Sequence, residues 1–176
     1  DLTSIWRIDA HGGPARRLTR SAEGEGSPRF LPDGSLLFTS RRADPAAKKD
    51  PEASDVAALW LLPAAGGEAR VVAALPGGVT AAEVARDAGA IVVGAPVLPA
   101  AGNGDSADDA RLRQERKDAG ITAILHESAP VRFWDHDLGP DQPRLFAVDP
   151  DQVQETEIGW AGRDKEPALA DAAAEG

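Results

Sequence analysis

The chain has 176 residues and a formal net charge of −10, and it contains no Cys, no Met and no Tyr. The absence of Cys excludes disulfides, thiolate nucleophiles and Cys-ligated zinc. An acidic chain without a stripe of Lys and Arg repels phosphate backbones, and no apolar run reaches the roughly 18 residues that a membrane span needs. We therefore predict that neither nucleic acid nor membrane is a partner, and that the clustered Arg16, Arg17 and Arg20 form a solvated strand face.

The start of the sequence indicates an incomplete chain. No Met is present, and Asp1 opens directly onto a strand-like pattern, so we expect a fragment or a processed piece. No basic-then-apolar signal segment opens the sequence, but the missing true start leaves a lost signal peptide open. The absence of Cys is compatible with the cytoplasm, which is the location we predict.

The first elements in chain order belong to a repeat with an interval of 54 residues, the distance from Ile5 to Leu59. The segment Ile5–Arg16 aligns without a gap on Leu59–Arg70, with Trp, Gly-Gly, Ala and Arg coinciding. The same interval superposes Phe30 on Val84, Asp33 on Asp87, Leu37 on Ile91 and Phe38 on Val92. A weaker third copy, Arg144–Asp149, lies 86 residues after the second, the distance from Trp60 to Phe146.

One unit of the repeat reads as four short strands. Ser27–Leu31 is extended, Pro32-Asp33-Gly34 is a turn, and Ser35–Ser40 is a strand, which together predict a hairpin. Two further strands follow around the turn Gly66-Gly67, namely Ala58–Leu62 and Ala69–Ala73. Four antiparallel strands that recur at such spacing are typical of a β-propeller blade.

This pattern divides the chain. Residues 1–20 are the end of one blade, 26–75 are a full blade, and 79–160 are a blade with an insertion at 99–130; residues 161–176 are an acidic, Ala-rich tail that we predict to be disordered. The last blade has its hairpin at Asp87-Ala88-Gly89, resumes near Val131 and takes its third and fourth strands from Leu145–Val148 and Val153–Ile158. The predicted fold class is all-β: a partial β-propeller of about two and a half four-stranded antiparallel blades with one short helical insertion.

The insertion contains the predicted helix. Ser106 precedes Ala107-Asp108-Asp109, which predicts Ser106 as the N-cap with an acid at the third position. Residues 107–118 are charged nearly all round and predict a short exposed helix that ends at Gly120. Arg41–Asp55, by contrast, is charged and contains Pro, so we expect an exposed loop there.

Catalytic motifs are mostly missing. The elbow Gly-x-Ser-x-Gly, which exposes a serine nucleophile, does not occur. Gly104-Asp105-Ser106 is similar to the Gly-Asp-Ser start of some lipases, but no strand precedes it and Ser106 has a capping role, so we expect no catalysis there. His126-Glu127 lacks the second His of a zinc helix, and Pro130 would break such a helix.

The run Asp135-His136-Asp137 has two interpretations. Two carboxylates around an imidazole could bind a divalent cation or tune the His pKa. On a strand, however, Asp135 and Asp137 would share one face while His136 points to the other, so we favour a strand end and turn. We accordingly predict no catalytic, cofactor-binding or metal residue and no cofactor, and the substrate-binding residues stay unknown.

Aromatic residues recur on the strand pattern. We interpret them as core packing between blades rather than as a binding cage. They are Trp6, Trp60, Phe30, Phe38 and Phe146.

Two stretches resemble known families. Ser27–Ser40, followed by Leu59–Leu62 and Gly66–Arg70, resembles the blade signature of TolB-type, WD40-like propellers. Val131–Asp149 resembles the Arg-aromatic-Trp-Asp stretch, with its following Leu-Phe-x-Val-Asp strand, in the N-terminal propeller of prolyl oligopeptidase family (S9) serine peptidases, in particular the acylaminoacyl-peptidase-like branch. The charged insertion Ala110–Lys117 is similar to that of actinobacterial members.

The resemblance implies a function for the parent protein. In that family the propeller caps a C-terminal α/β-hydrolase domain with a Ser-Asp-His triad and restricts access to small peptides. None of the triad positions lies in this sequence, so we expect a substrate-gating fragment that is inactive alone, with the hydrolase domain of the same parent and short or acylated peptides as partners. The alternatives are a stand-alone TolB-like propeller that binds a protein or ligand without catalysis, and a periplasmic scaffold.

Overall fold

Antiparallel sheets make up most of the regular secondary structure among the described residues. The computed structural model describes residues 3–43, 56–85, 87–102, 105–124, 126, 132–134, 136–137 and 139–149. The elements in these ranges are β1 (Trp6–Arg7), β2 (Arg16–Arg17), β3 (Glu25–Phe30), β4 (Leu36–Ser40), β5 (Ala58–Leu62), β6 (Arg70–Ala73), β7 (Ala81–Val84), β8 (Ile91–Val97), α1 (Ser106–Asp118), β9 (Arg132–Phe133), β10 (His136–Asp137) and β11 (Gln142–Val148). The all-β class is confirmed, with α1 as the single helix of the described residues.

The four strands predicted for one repeat unit form a single sheet in the order β3-β4-β5-β6. The first hairpin closes because Asp33 accepts hydrogen bonds from the Ser35 amide (2.8 Å) and hydroxyl (2.8 Å). Those two bonds favour the charged carboxylate and hold the pKa of Asp33 below its ordinary value. Gly34 supplies the positive φ of 86° that completes the turn, so this predicted hairpin is confirmed.

A second sheet has three strands in the order β11-β8-β7. Its hairpin β7–β8 and its third strand β11 repeat the arrangement of β3, β4 and β5, with β8 in the centre. The third strand predicted at Leu145–Val148 is confirmed and begins earlier, at Gln142. The fourth strand predicted at Val153–Ile158 and the tail at 161–176 lie outside the described residues.

The hairpin β1–β2 reproduces the last two strands of the four-stranded sheet. Trp6 pairs with Arg17, and Trp60 pairs with Val71, which are the same positions at the 54-residue interval. The turns agree as well: the Gly12 amide bonds to the Asp9 carbonyl and the Gly66 amide to the Pro63 carbonyl, each at 3.0 Å. The repeat of this first block is therefore confirmed in register.

The second half of the predicted repeat alignment is wrong by one residue. Phe30 pairs with Leu36, but Val84 pairs with Ile91, so Ile91 takes the position of Leu36 rather than of Leu37. Val93, not Val92, therefore corresponds to Phe38. The cause is the turn: the Gly34 amide bonds to the carbonyl of Leu31, whereas the Gly89 amide bonds to that of Ala85, four residues back. The longer turn contains one more residue.

The sheets are stacked face to face. One core cluster joins the four-stranded and three-stranded sheets and includes Leu37, Leu59, Ile91, Val93 and Phe146. A second cluster lies on the other face of the four-stranded sheet, where Ile5, with Leu18 against it, covers Phe38 and Trp60. Because neighbours on a strand point to opposite faces, Leu59 enters the first cluster and Trp60 the second. The four-stranded sheet is thus covered on both sides.

The aromatic residues divide into two groups. Phe38 and Trp60 are fully buried and Phe146 is 6% exposed, so the prediction of core packing is confirmed for these three. For Trp6 and Phe30 the prediction is wrong within this chain, because each is 59% exposed. Trp6 has the strand position of Trp60, but no described sheet lies against its face.

The helix begins one residue earlier than predicted. Asp105, not Ser106, is the N-cap: its carboxylate accepts hydrogen bonds from the amides of Ala107 (2.8 Å) and Asp108 (3.2 Å). A carboxylate at this position accepts hydrogen bonds from the free amides of the first turn, and its negative charge interacts favourably with the positive end of the helix dipole. The predicted end is confirmed, because Gly120 has a positive φ and the amides of Gly120 and Ile121 bond to Lys117 and Arg116.

The predicted exposure of α1 is wrong on one face. Asp109 is 1% exposed, and Leu112 packs against the first core cluster. With 13 residues and a charged sequence, α1 is too short and too polar to cross a membrane, and it is the only helix among the described residues.

Candidate functional site

The candidate site is a cleft where the first strands of the two larger sheets meet. It measures about 380 Å³ and is lined by Arg29, Phe30, Leu31, Pro32 and Val84; we call it the inter-sheet cleft. β3 and β7 lie against each other here, so each sheet contributes the end of its first strand and the start of its turn. The turn chemistry of Pro32-Asp33-Gly34 thus positions the rim of the cleft.

An ion pair beside the cleft joins equivalent positions of the repeat, Arg29 and Glu83. Arg29 Nε donates to Glu83 Oε2 at 2.9 Å and Arg29 Nη2 to Glu83 Oε1 at 2.5 Å, while Nη1 donates to the Pro28 carbonyl at 2.9 Å. The hydrogen bonds and the charge of Arg29 lower the pKa of Glu83, and those of Glu83 raise the pKa of Arg29. The geometry is the bidentate fork that makes an arginine–carboxylate pair directional. The pair thus links β3 of the four-stranded sheet to β7 of the three-stranded sheet.

The lining of the cleft combines one aromatic, three apolar and one charged residue. Phe30 is 59% exposed, and the aliphatic Val84 of β7 lines the same cleft. None of its five described lining residues carries a nucleophile or a general base. The arrangement suits contact with an apolar side chain next to a polar backbone, and it provides no group that could break a bond.

A second polar cluster anchors the helical insertion to the three-stranded sheet. Asp109 accepts from the Leu98 amide at 2.9 Å and from Arg113 Nε at 2.8 Å. Arg113 Nη2 also donates to Asp141 at 2.6 Å and to the Pro96 carbonyl at 3.0 Å. Burial alone would lower the pKa of Arg113, but the hydrogen bonds and charges of Asp109 and Asp141 outweigh it and raise that pKa. The cluster holds three segments together, which is a structural role.

Arg42 packs against two aromatic residues of the second core cluster. The guanidinium of Arg42 lies 3.9 Å from the ring centre of Trp60 and 5.5 Å from that of Phe38. Its Nη2 donates to the Ala69 carbonyl at 3.3 Å, while its buried Nε has no hydrogen-bond partner within the part of the chain that the structure describes. Stacking on two aromatic rings compensates a cation whose hydration is reduced. Arg42 therefore belongs to the packing of the core.

The residues that the sequence singled out do not meet at one site. Ser106 is the first residue of α1, and His126 is exposed; Glu127 lies outside the described residues. His136 and Asp137 form β10, which pairs with β9 across a turn where Trp134 has a φ of 55°; Asp135 lies outside the described residues. This backbone agrees with the strand-and-turn interpretation. In the described ranges no group of three or more His, Asp or Glu could hold a metal ion.

The arginine cluster lies where the sequence predicts it. Arg16 and Arg17 form β2, and both are exposed, as is Arg20. Arg17 bonds to Ser4 Oγ at 2.6 Å and to the Thr19 carbonyl at 2.8 Å. The predicted exposure is confirmed for all three arginines; the strand contains Arg16 and Arg17, and Arg20 lies beyond its end.

The roles of Asp109 and of the pair Arg29–Glu83 were not predicted from the sequence. Asp109 is one of several acids on a charged helix, and the only local signal for its burial is the apolar Leu112 three residues later on the same face. The pair Arg29–Glu83 had a stronger signal, because opposite charges stand at identical positions of the repeat. Reading charge complementarity between repeat copies would have found it.

Comparison with known proteins gives no family for this chain. Neither the models of protein families nor the curated proteins include a match to its sequence. The resemblance to S9 peptidases and to TolB-type propellers is therefore a prediction that rests on the sequence motifs alone.

Proposed function

We propose that the chain is a run of consecutive β-propeller blades that gates the access of short or acylated peptides to a serine hydrolase domain of the same parent protein. In this proposal the chain binds and selects, and the chemistry takes place elsewhere in the parent. The motif Val131–Asp149 supports the peptidase part through its resemblance to the family. The cytoplasmic location stays a prediction as well.

One observation carries the blade part of the proposal: Arg29 and Glu83, which occupy the same position in successive repeats, contact each other. In a propeller, successive sheets surround a central channel, so their first strands lie next to each other. The contact between β3 and β7 and the face-to-face packing of the two sheets support this part of the proposal. The inter-sheet cleft would then lie on the channel side, where a peptide would pass.

The alternative is a stand-alone propeller that binds a protein or ligand without catalysis. The observation that favours it is the inter-sheet cleft itself, which pairs an exposed aromatic ring with an aliphatic residue and has no catalytic group among its described lining residues. The two proposals differ in what the parent gene encodes downstream. A Gly-x-Ser-x-Gly elbow in the same reading frame supports the peptidase, and further repeats followed by a stop codon would exclude it.

A kinetic experiment tests the gate. The chain alone is expected to leave an acyl-amino-acid p-nitroanilide intact, and hydrolysis by the pure chain would contradict the proposal. In the parent, Glu83→Ala removes the ion pair between neighbouring sheets, so kcat/KM should rise severalfold for long peptides and stay constant for short ones. Glu68→Ala, an exposed acid on the turn before β6, is the matched control and should change neither.

A further inference from the structure

Two junctions connect successive sheets through the same backbone contact. In the first, between the hairpin β1–β2 and the four-stranded sheet, the Glu25 amide donates to the Thr3 carbonyl at 3.1 Å. In the second, between the four-stranded and three-stranded sheets, the Val79 amide donates to the Ala57 carbonyl at 2.7 Å. Glu25 and Val79 stand one repeat interval apart, and both are buried. We call the first contact, with its neighbours, the polar junction and the second the apolar junction.

A buried carboxylate lies at the polar junction. Glu25 is 4% exposed; its Oε2 accepts from the Thr19 hydroxyl at 2.9 Å and its Oε1 from the Ser21 amide at 2.9 Å. Both donors are neutral, and among the described residues no Lys, Arg or His forms an ion pair with Glu25. A carboxylate that exchanges its hydration for neutral donors keeps a large desolvation penalty. The loss of water around Glu25 therefore opposes closure of this junction.

The equivalent positions of the apolar junction carry hydrocarbon side chains. Three buried residues of the first core cluster take the places of Glu25, Thr19 and Ser21, namely Val79, Ala73 and Leu75. Removal of their surface from water favours closure. The difference between the two junctions thus acts in one direction, because desolvation opposes closure of the polar junction and favours closure of the apolar one.

The helical insertion holds the apolar junction in addition. Gly77, two residues before Val79, packs so closely that a Cβ there would lie 2.0 Å from the Pro96 carbonyl oxygen and 2.7 Å from Arg113 Nη2. Arg113 belongs to the polar cluster that anchors α1 to the three-stranded sheet. In the polar junction the equivalent residue is Glu23, which is exposed. Only the apolar junction therefore has this second contact among the described residues.

We propose that the polar junction is a hinge: the hairpin β1–β2 moves away from the four-stranded sheet there, while the four-stranded and three-stranded sheets stay together. Opening returns water to Glu25, whereas opening of the apolar junction would expose hydrocarbon. The hairpin moves as a unit, because the pairing of β1 with β2 does not cross the junction. Local opening of this kind needs less free energy than global unfolding.

Native-state amide hydrogen exchange, measured by NMR under conditions where it reports the opening equilibrium, tests the hinge. The Glu25 and Val79 amides are matched reporters, and the protection factor of Glu25 is expected to be at least about tenfold lower. Glu25→Val places the residue of the apolar junction in the polar one, so it should raise protection at position 25 at least about tenfold and leave Val79 unchanged. Glu23→Val is the matched control, an exposed acid in the same link, and should change neither.

The Leu18 amide distinguishes hinge opening from unfolding of the hairpin. It donates to the Ile5 carbonyl at 2.9 Å within the hairpin, so its protection should be the same in the wild type and in Glu25→Val. Near-ultraviolet circular dichroism should show that Glu25→Val keeps the wild-type packing; if it does not, Glu25→Thr, which also removes the charge, replaces it.

Three results would overturn the proposal. Equal protection of the Glu25 and Val79 amides in the wild type would show that both junctions open alike. Unchanged protection at position 25 in Glu25→Val would show that opening does not depend on the buried carboxylate. A parallel gain at Leu18 would show that the hairpin unfolds instead of moving as a unit. Because the hinge depends on the chemistry of the two junctions and not on peptidase activity, these results leave the proposed function untouched.

Discussion

At the scale of single residues, the fold depends on a few polar groups with well-satisfied bonds. Asp109 is 1% exposed, yet each of its carboxylate oxygens has a donor: the Leu98 amide and Arg113 Nε. A buried carboxylate is stable only when it is paired and hydrogen-bonded in this way. Its neighbour Asp108 pairs with Arg111 at the exposed side of the same helix, where water screens the charges.

The difference between these two acids gives a residue-scale prediction. Asp109→Ala leaves the Leu98 amide without its acceptor and removes one partner of Arg113, so the free energy of unfolding should fall by about 2–3 kcal/mol. Asp108→Ala should change it little, since an exposed pair contributes little. Urea denaturation of both variants measures the difference, and equal losses would show that the buried position is not special.

At the scale of elements, turns decide the register of the strands. The turn between β3 and β4 and the turn between β7 and β8 differ by one residue, and Gly34 and Gly89 take positive φ values of 86° and 64° in them. Each glycine allows its turn to close without steric cost, so both hairpins keep their apolar alternation. A one-residue shift within β8 would have turned Val93 away from the core. The longer turn accommodates the extra residue, so Val93 keeps its inward orientation.

The helix gives an element-scale prediction. Asp105→Ala removes the acceptor of the first-turn amides and should lower the free energy of unfolding by about 1 kcal/mol. Ser106→Ala should have almost no effect, because the Asp105 side chain already bonds the amides of Ala107 and Asp108. Thermal unfolding followed by circular dichroism distinguishes the two, and a larger loss for Ser106→Ala would restore Ser106 as the N-cap.

At the scale of the whole molecule, apolar burial is distributed unevenly among the stacked sheets. The four-stranded sheet is covered on both faces and contains the fully buried Trp60, Phe38 and Leu37. Among the described residues, the three-stranded sheet and the hairpin β1–β2 are each covered on the face that is turned toward it. Apolar burial, which stabilises a fold in proportion to the area removed from water, is thus concentrated in the middle of the stack. The ion pair Arg29–Glu83 joins the middle sheet to its neighbour from outside the core.

This ion pair gives a whole-molecule prediction about pH. Arg29 lowers the pKa of Glu83 below its ordinary value of 4.5, so the pair stabilises the folded state above pH 4.5, and this contribution is lost as the pH falls through the lowered pKa. Glu83→Gln should therefore unfold more easily than the wild type at neutral pH, and the two should converge in acid. Glu68→Gln serves as the control, and a gap that persists in acid would mean that the pair acts through packing instead.

Sequence reasoning succeeded where the determinants are local. Strand alternation, the turn Pro32-Asp33-Gly34 and the glycine at position 120 predicted the hairpins and the helix end, because these depend on a few neighbouring residues. It failed for Ser106 because Asp and Ser are both residue types that cap helices, and Asp105 and Ser106 are adjacent. Only the structure shows that the Asp105 carboxylate accepts the hydrogen bonds of the first-turn amides. For the inter-sheet cleft the sequence offered only the repeat, which relates Arg29 to Glu83 without showing that they touch.

By itself the sequence determined the all-β class, the order of strands within each unit and the equivalence of Trp6 and Trp60 in the repeat. Those properties follow from side-chain alternation and turn chemistry, which act over a few residues. The tertiary structure alone decided that Trp60 is buried and Trp6 exposed, that Asp109 is buried and Asp108 is not, and that Arg29 meets Glu83. The physical reason is that burial and pairing depend on which sheet or strand lies opposite, and the opposite residues are far away along the chain.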